Sequence, residues 1–197
     1  MGQKTVMGES KTRLKHPPLV MPVCIVGAEV DGRPNFEAIA WFNLVDCQPH
    51  MISISSEKSH HTNKGIRENR TFSVNIPSAS MAAATDYCGM YSGSKVDKSK
   101  AFSVFYGDLK TAPMISECPI NIECRLTQTI ELFHGELFIG EIVGVFTESK
   151  YLTDGKPDIR KIDPLIFENG APPYYWKLGG HIAKAFEIGK DYKPHPE

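Results

Sequence analysis

Along most of this chain, apolar residues come in short runs or alternate with polar ones, and the pattern reads mainly as β-structure. Residues 23–30 form a β-branched run closed by the turn signal Asp31-Gly32. A second extended segment is predicted over 36–45. Residues 51–55 alternate, with Ile52 and Ile54 facing one way and Ser53 and Ser55 the other. The 71–76 segment reads as a strand stopped by Pro77. Residues 123–132 alternate throughout: Cys124, Leu126, Ile130 and Leu132 share one face, and Glu123, Arg125, Thr127, Thr129 and Glu131 the other. His134-Gly135 then turns the chain back into 137–146, the clearest hairpin in the sequence.

Helical signals are few. Residues 62–69 suit two turns, with Ser59 or His61 near their start. Ser80 suits the cap of a short helix through Tyr87, ended by Gly89. Leu178, Ile182 and Phe186 fall four apart and predict a terminal helix, despite Gly179 and Gly180. Short strands, Gly and Pro turns and peripheral helices together predict a barrel or sandwich. One domain is expected over 1–197, with loose tips at about 1–11 and 190–197.

Composition removes several classes. The chain is 41% hydrophobic and 23% charged, with net charge -1, so nothing suggests a polyanion partner. An oligonucleotide-binding barrel fails on the same ground, because no basic stripe is interleaved with aromatics. No apolar run approaches the roughly 20 residues of a membrane helix, and the polar N-terminus lacks a signal-type segment. A cytoplasmic protein is expected. Cys24, Cys47, Cys88, Cys118 and Cys124 are odd in number and lack a CxxC pair, which suggests free buried thiols. Signatures of Rossmann, P-loop and α/β-hydrolase enzymes are missing from the sequence.

The stretch richest in chemistry is 35–62. After two extended segments it places Ser55, Ser56, Lys58, Ser59, His60, His61 and Thr62 before a helix start. Hydroxyls, a lysine and free N–H groups at a helix N-terminus can cradle a phosphate. Ser and Thr before a helix usually just cap it, and a solvated Lys58 is the matching alternative. A second stretch, 86–98, carries Gly89 and Gly93, with Lys95 and Lys98 spaced to face one anion or to sit on an ordinary surface loop. His60 and His61 invite a metal reading, but no spaced ligand set follows them. Trp41 and Phe42 suit either a flat aromatic ligand or the core.

Taken in order, these segments resemble the flavoredoxin branch of the flavin reductase-like family of FMN-binding split barrels. The resemblance runs from about Pro18 to about Tyr192. It rests on Pro22 to Gly27, Asp31-Gly32 with Asn35, Ala38 to Phe42, Pro49, Lys58 to Thr62 with Gly65-Ile66, and Phe72 to Pro77. It continues through Asp86 to Gly89, Ser92-Gly93, Lys95 to Lys98, Ala112-Pro113, Glu117 to Pro119, Glu123-Cys124, Gly140 to Val143 and Tyr175 to Gly179.

The resemblance implies a mainly β, six-stranded Greek-key split barrel with peripheral helices, forming a homodimer with one FMN per subunit near the interface. It implies that Asn35 and the backbone of Ala38, Ile39, Ala40, Trp41 and Phe42 run along the isoalloxazine ring. The segment from Ser53 and Ser55 to Thr62 would take the ribityl chain and phosphate, with Lys58, Ser59, His61 and Thr62 as the phosphate candidates. Ser92, Lys95 and Lys98 would close over the FMN, the lysines from either subunit. Many relatives of this kind have arginine where Lys58 stands; lysine keeps the charge and loses the bidentate fork. The redox chemistry would be the flavin's, with no protein nucleophile or general base required and no catalytic role for Cys88. An NAD(P)H:flavin oxidoreductase-like enzyme and a non-enzymatic FMN electron carrier that docks to redox proteins both fit.

Overall fold

A computed structural model describes residues 19–193; the expected loose tip 1–11 and the last four residues lie outside the described residues. The main sheet has seven antiparallel strands. Their spatial order is Arg33–Ile39, Cys24–Val30, Thr71–Ile76, Ile120–Glu131, Gly135–Thr147, His50–Glu57 and Phe42–Cys47. The first and last strands in that order are consecutive in sequence, joined only by Ala40 and Trp41. A flat sheet of this size would hold its edges about 29 Å apart, whereas the connection reaches about 10 Å. The sheet therefore curls until its edges meet at a corner, where the Ser55 N–H donates to the Trp41 carbonyl at 2.8 Å. This is a mainly β split barrel, with seven strands in the sheet where six were expected, because the 36–45 segment breaks at the corner and serves both edges.

Val26, Ile52, Ile54, Phe72, Val74, Leu126 and Phe138 fill the barrel. A second cluster, Ile25, Phe36, Cys88, Ile115 and Cys118, lies outside it. The 24–30 strand is thus covered on both faces, which explains its unbroken apolar run. The helix Thr62–Asn69 forms as expected and lies against that strand; a Cβ at Gly65 would collide with the Glu29 carbonyl.

Several expectations are corrected. Glu123, on the face opposite Cys124, is buried although its polar neighbours Arg125, Thr127, Thr129 and Glu131 are exposed, and its carboxylate accepts the N–H groups of Leu109 at 2.6 Å and Asp108 at 3.2 Å. The expected apolar face of 123–132 holds only to Leu126. A register shift follows, with Leu126 opposite Gly140 and Gln128 opposite Ile139, so the parity flips and Ile130 and Leu132 are exposed. The helix after Ser80 runs over Ala82–Met90, through Gly89, with a 3₁₀ turn at Ala79–Met81 before it and no side-chain cap. No helix spans Leu178 to Phe186; only the 3₁₀ turn Ile188–Asp191 follows. Two glycines cost about 1 kcal/mol each in a helix, and a short helix with no packing partner is marginal. Ile182 and Phe186 are 93% and 97% exposed. Upstream of this arm, Tyr174–Trp176 pairs with Ile166–Glu168, and the Tyr175 hydroxyl donates to Asp86 at 3.0 Å. Four of the five cysteines are buried and all are free; Cys47 is exposed, on the edge strand Phe42–Cys47.

Candidate functional site

The corner at Ala40–Trp41 and the turn before the Thr62–Asn69 helix enclose a chain of adjoining cavities. One, of about 240 Å³, lies between Ser59–Thr62, the end of the Ala82–Met90 helix and the following loop, with Glu37 and Ala38 in its wall. A second, of about 190 Å³, shares Ala38 and His60 with the first and extends along Ile39, Ala40 and Trp41 towards Ser55 and Phe167. A third, of about 480 Å³, shares His61, Gly93 and Lys98 with the first and adds Asn35, Arg33 and Lys95. A fourth, of about 450 Å³, carries Trp41, Phe42, Ser53 and Ser55 on the other side of the corner.

Sequence dictates this arrangement locally. The Arg33–Ile39 strand is an edge with a neighbour on one side only, so alternate N–H and C=O groups point away from Cys24–Val30. Asn35 reaches from that strand to the helix start, its Nδ2 donating to Thr62 Oγ1 at 2.7 Å within a buried setting. Gly93 closes over the pair; any Cβ there would meet the Asn35 side chain, so the loop can approach only as glycine. His61 holds the N-cap position without a side-chain cap bond.

Most sequence-predicted residues converge here. Ala38, Ser59, His61, Thr62 and Ser92 line the first cavity; Asn35 and Lys95 line the third; Ile39, Ala40, Trp41, Phe42, Ser53 and Ser55 line the second and fourth. Ile39 contributes a side chain to the barrel core. Lys98 borders the first and third cavities yet is 3% exposed, its ammonium donating to the carbonyls of Cys88 at 3.0 Å and Tyr91 at 2.9 Å. It therefore ties down the loop as well as charging the wall, and burial lowers its pKa from the ordinary lysine value. Lys58 lines none of these cavities; its Nζ lies 3.6 Å from Glu131.

Sequence reasoning passed over Glu37, and it named His60 in the polar stretch and as a metal candidate without assigning it a partner. Glu37 Oε2 lies 2.7 Å from His60 Nδ1, and Ser56 Oγ lies 3.2 Å from Glu37 Oε1 and 3.1 Å from His60 Nδ1. The hydrogen bond to Glu37 raises the His60 pKa above its ordinary value, burial works against it, and the charges of Glu37 and Glu57 add to the rise. A lone acid between apolar neighbours in a strand was the available signal. Cys88 also lines the first cavity; burial pushes its thiol up to about 11, so it is protonated at neutral pH. Among the described residues, no cluster of three His, Cys, Asp or Glu is placed to hold a metal. No helix among them is long and apolar enough to cross a membrane.

A slot edged by the backbone of residues 38–41 thus adjoins one lined by hydroxyls, imidazoles and Lys98. Residues 17–174 match the family model described as flavin reductase like domain, and the chain belongs to the flavoredoxin/flavin reductase-like family. It is 43% identical to a flavoredoxin of Methanosarcina acetivorans, with 96% of this chain and 98% of that one covered and a TM-score of 0.88. Against the flavoredoxin of Desulfovibrio vulgaris (Miyazaki F), identity is 35%, coverage 95% and 100%, and the TM-score 0.84. An FMN-binding protein of Thermus thermophilus shares the fold at 21% identity, with 93% and 100% covered and a TM-score of 0.76.

Proposed function

We propose that this protein binds FMN along the corner of its barrel and passes electrons through it as a reductase that takes hydride from NADH or NADPH. The observation that carries this is the junction at Ala38 and His60, where an apolar slot with a free strand edge meets a cavity lined by hydroxyls, imidazoles and Lys98. That donor set fits the two ends of FMN, a planar heterocycle and a phosphate. Bound FMN would supply the redox chemistry. The chain's own work would be to hold the nucleotide. Backbone groups of residues 38–41 would meet the ring edge. Ser59, His61, Thr62 and Ser92 would donate to the ribityl and phosphate oxygens, and Lys98 would offset their charge. Asn35, through Thr62, would fix the helix start.

A homodimer is part of this reading. The edge strand Phe42–Cys47 exposes Leu44 and Val45 beside the corner, and the arm after Trp176 exposes Leu178, Ile182 and Phe186. Apolar surface of this kind on an edge strand and an extended arm is what a second copy would cover. Five free thiols fit a reducing compartment, and the cytoplasm is the proposed location.

The test is the flavin absorbance of FMN-loaded protein in anaerobic buffer, before and after adding NADH or NADPH. Rapid bleaching supports the reductase. No bleaching by either, with full reduction by dithionite or a reduced ferredoxin, would replace it with an electron carrier. Colourless protein that does not take up added FMN would overturn both.

A further inference from the structure

A carboxylate taken out of water must be compensated, and Glu37, only 4% exposed in the wall of the first cavity, is compensated in a particular way. One oxygen faces His60 Nδ1 at 2.7 Å and the other accepts from Ser56 Oγ at 3.2 Å. Because Nδ1 is committed to Glu37, Nε2 is the ring nitrogen left for the ligand cavities that His60 lines on both sides of the junction. His60 is also held by its backbone, whose N–H donates to the Glu57 carbonyl at 2.9 Å.

We propose that Glu37 and His60 form a charge-paired anchor, in which Glu37 holds an imidazolium by Nδ1 and the Nε2–H donates to the phosphate of the bound flavin nucleotide. This rests on the FMN reading above and adds to it a proton-dependent grip. His60 is the binding residue; Glu37 and Ser56 are positioning residues. The charged groups around the imidazole are Glu37 from the Arg33–Ile39 strand, Glu57 from His50–Glu57 and Lys98 from the turn Lys98–Ala101. Both carboxylates favour the charged ring, and Lys98 opposes it with its ammonium already engaged by two carbonyls. An arginine or lysine at this position would hold the phosphate at any physiological pH, whereas a histidine releases it once deprotonated.

The experiment measures FMN and riboflavin affinity by flavin fluorescence for the full chain, His60→Gln and Glu37→Gln across the neutral range. The quantity read is the ratio of the His60→Gln Kd to the unmutated Kd, in which the ionisation of the ligand's own phosphate near pH 6 cancels. A charged hydrogen bond predicts an FMN ratio of roughly 10 or more at about pH 6, shrinking towards 1 by about pH 9. Riboflavin should give a ratio near 1 throughout, and Glu37→Gln should move the loss of FMN affinity to lower pH. NMR titration of His60 in the unliganded protein gives a second readout, with a midpoint above about 6.5 that falls in Glu37→Gln. A pH-independent FMN ratio, an equal ratio for riboflavin, or a His60 midpoint at or below the ordinary value would overturn the anchor while leaving FMN binding intact. Failure of the unmutated protein to bind FMN at any pH would overturn the functional reading and the anchor together.

Discussion

Asn35 Nδ2 donates to Thr62 Oγ1 at 2.7 Å, and both residues are buried. Residues 27 apart in sequence thereby lock the edge strand of the barrel to the first residue of the helix that borders the cavity. Asn35→Ala leaves the Thr62 hydroxyl without this partner, at a cost of about 1–3 kcal/mol. Urea unfolding is expected to show that loss, and flavin fluorescence a weaker FMN affinity. Unchanged affinity would separate this bond from the ligand site.

Glu123 offers the opposite case, a buried carboxylate with a structural job outside the cavities. Its oxygens accept the N–H groups of Asp108 and Leu109, so Glu123→Ala strands two donors and opens space in the wall. The expected loss is about 2–4 kcal/mol in urea unfolding, with the FMN Kd unchanged. An altered Kd at full stability would contradict this division of labour.

The Glu37–His60 pair makes stability depend on pH. The folded pKa of His60 is raised, so the folded state holds its proton more tightly than the unfolded chain. The pair's contribution is complete below about pH 6.5 and is lost as pH rises through the raised folded value. The melting temperature of unliganded protein, minus that of His60→Gln at the same pH, should therefore decline from about pH 6.5 upward. A flat or rising difference would contradict the pairing.

The arm after Trp176 should matter only in an assembly. Ile182→Asp with Phe186→Asp changes side chains that touch almost nothing in one chain. Sedimentation should give a dimer for the unmutated protein and a shift towards monomer for the double variant, with little change in monomer stability. Monomeric unmutated protein would remove the dimer.

The residues show why some features were legible and others were not. Periodicity placed the 71–76 strand, the 62–69 helix and the hairpin around His134, because each is set by local residue spacing or turn chemistry. The same reasoning failed beyond Leu126, where a register shift inverts the faces, and at Leu178 to Phe186, where nothing in the chain packs against the spacing. Within the site, the polar stretch before the helix was legible, and Ser59, His61 and Thr62 line one cavity, while Lys58 turned towards Glu131.

The sequence by itself determined the segments that build the main sheet, the polar turn before the first helix, the free thiols and the family resemblance. Only the tertiary structure decided that Glu37 would be buried against His60, that Lys98 would spend its ammonium on two carbonyls, and that the corner at Ala40–Trp41 would bring both sheet edges to the cavities. Strand and helix signals are local, whereas burial and pairing depend on barrel closure, which brings together residues from distant parts of the chain.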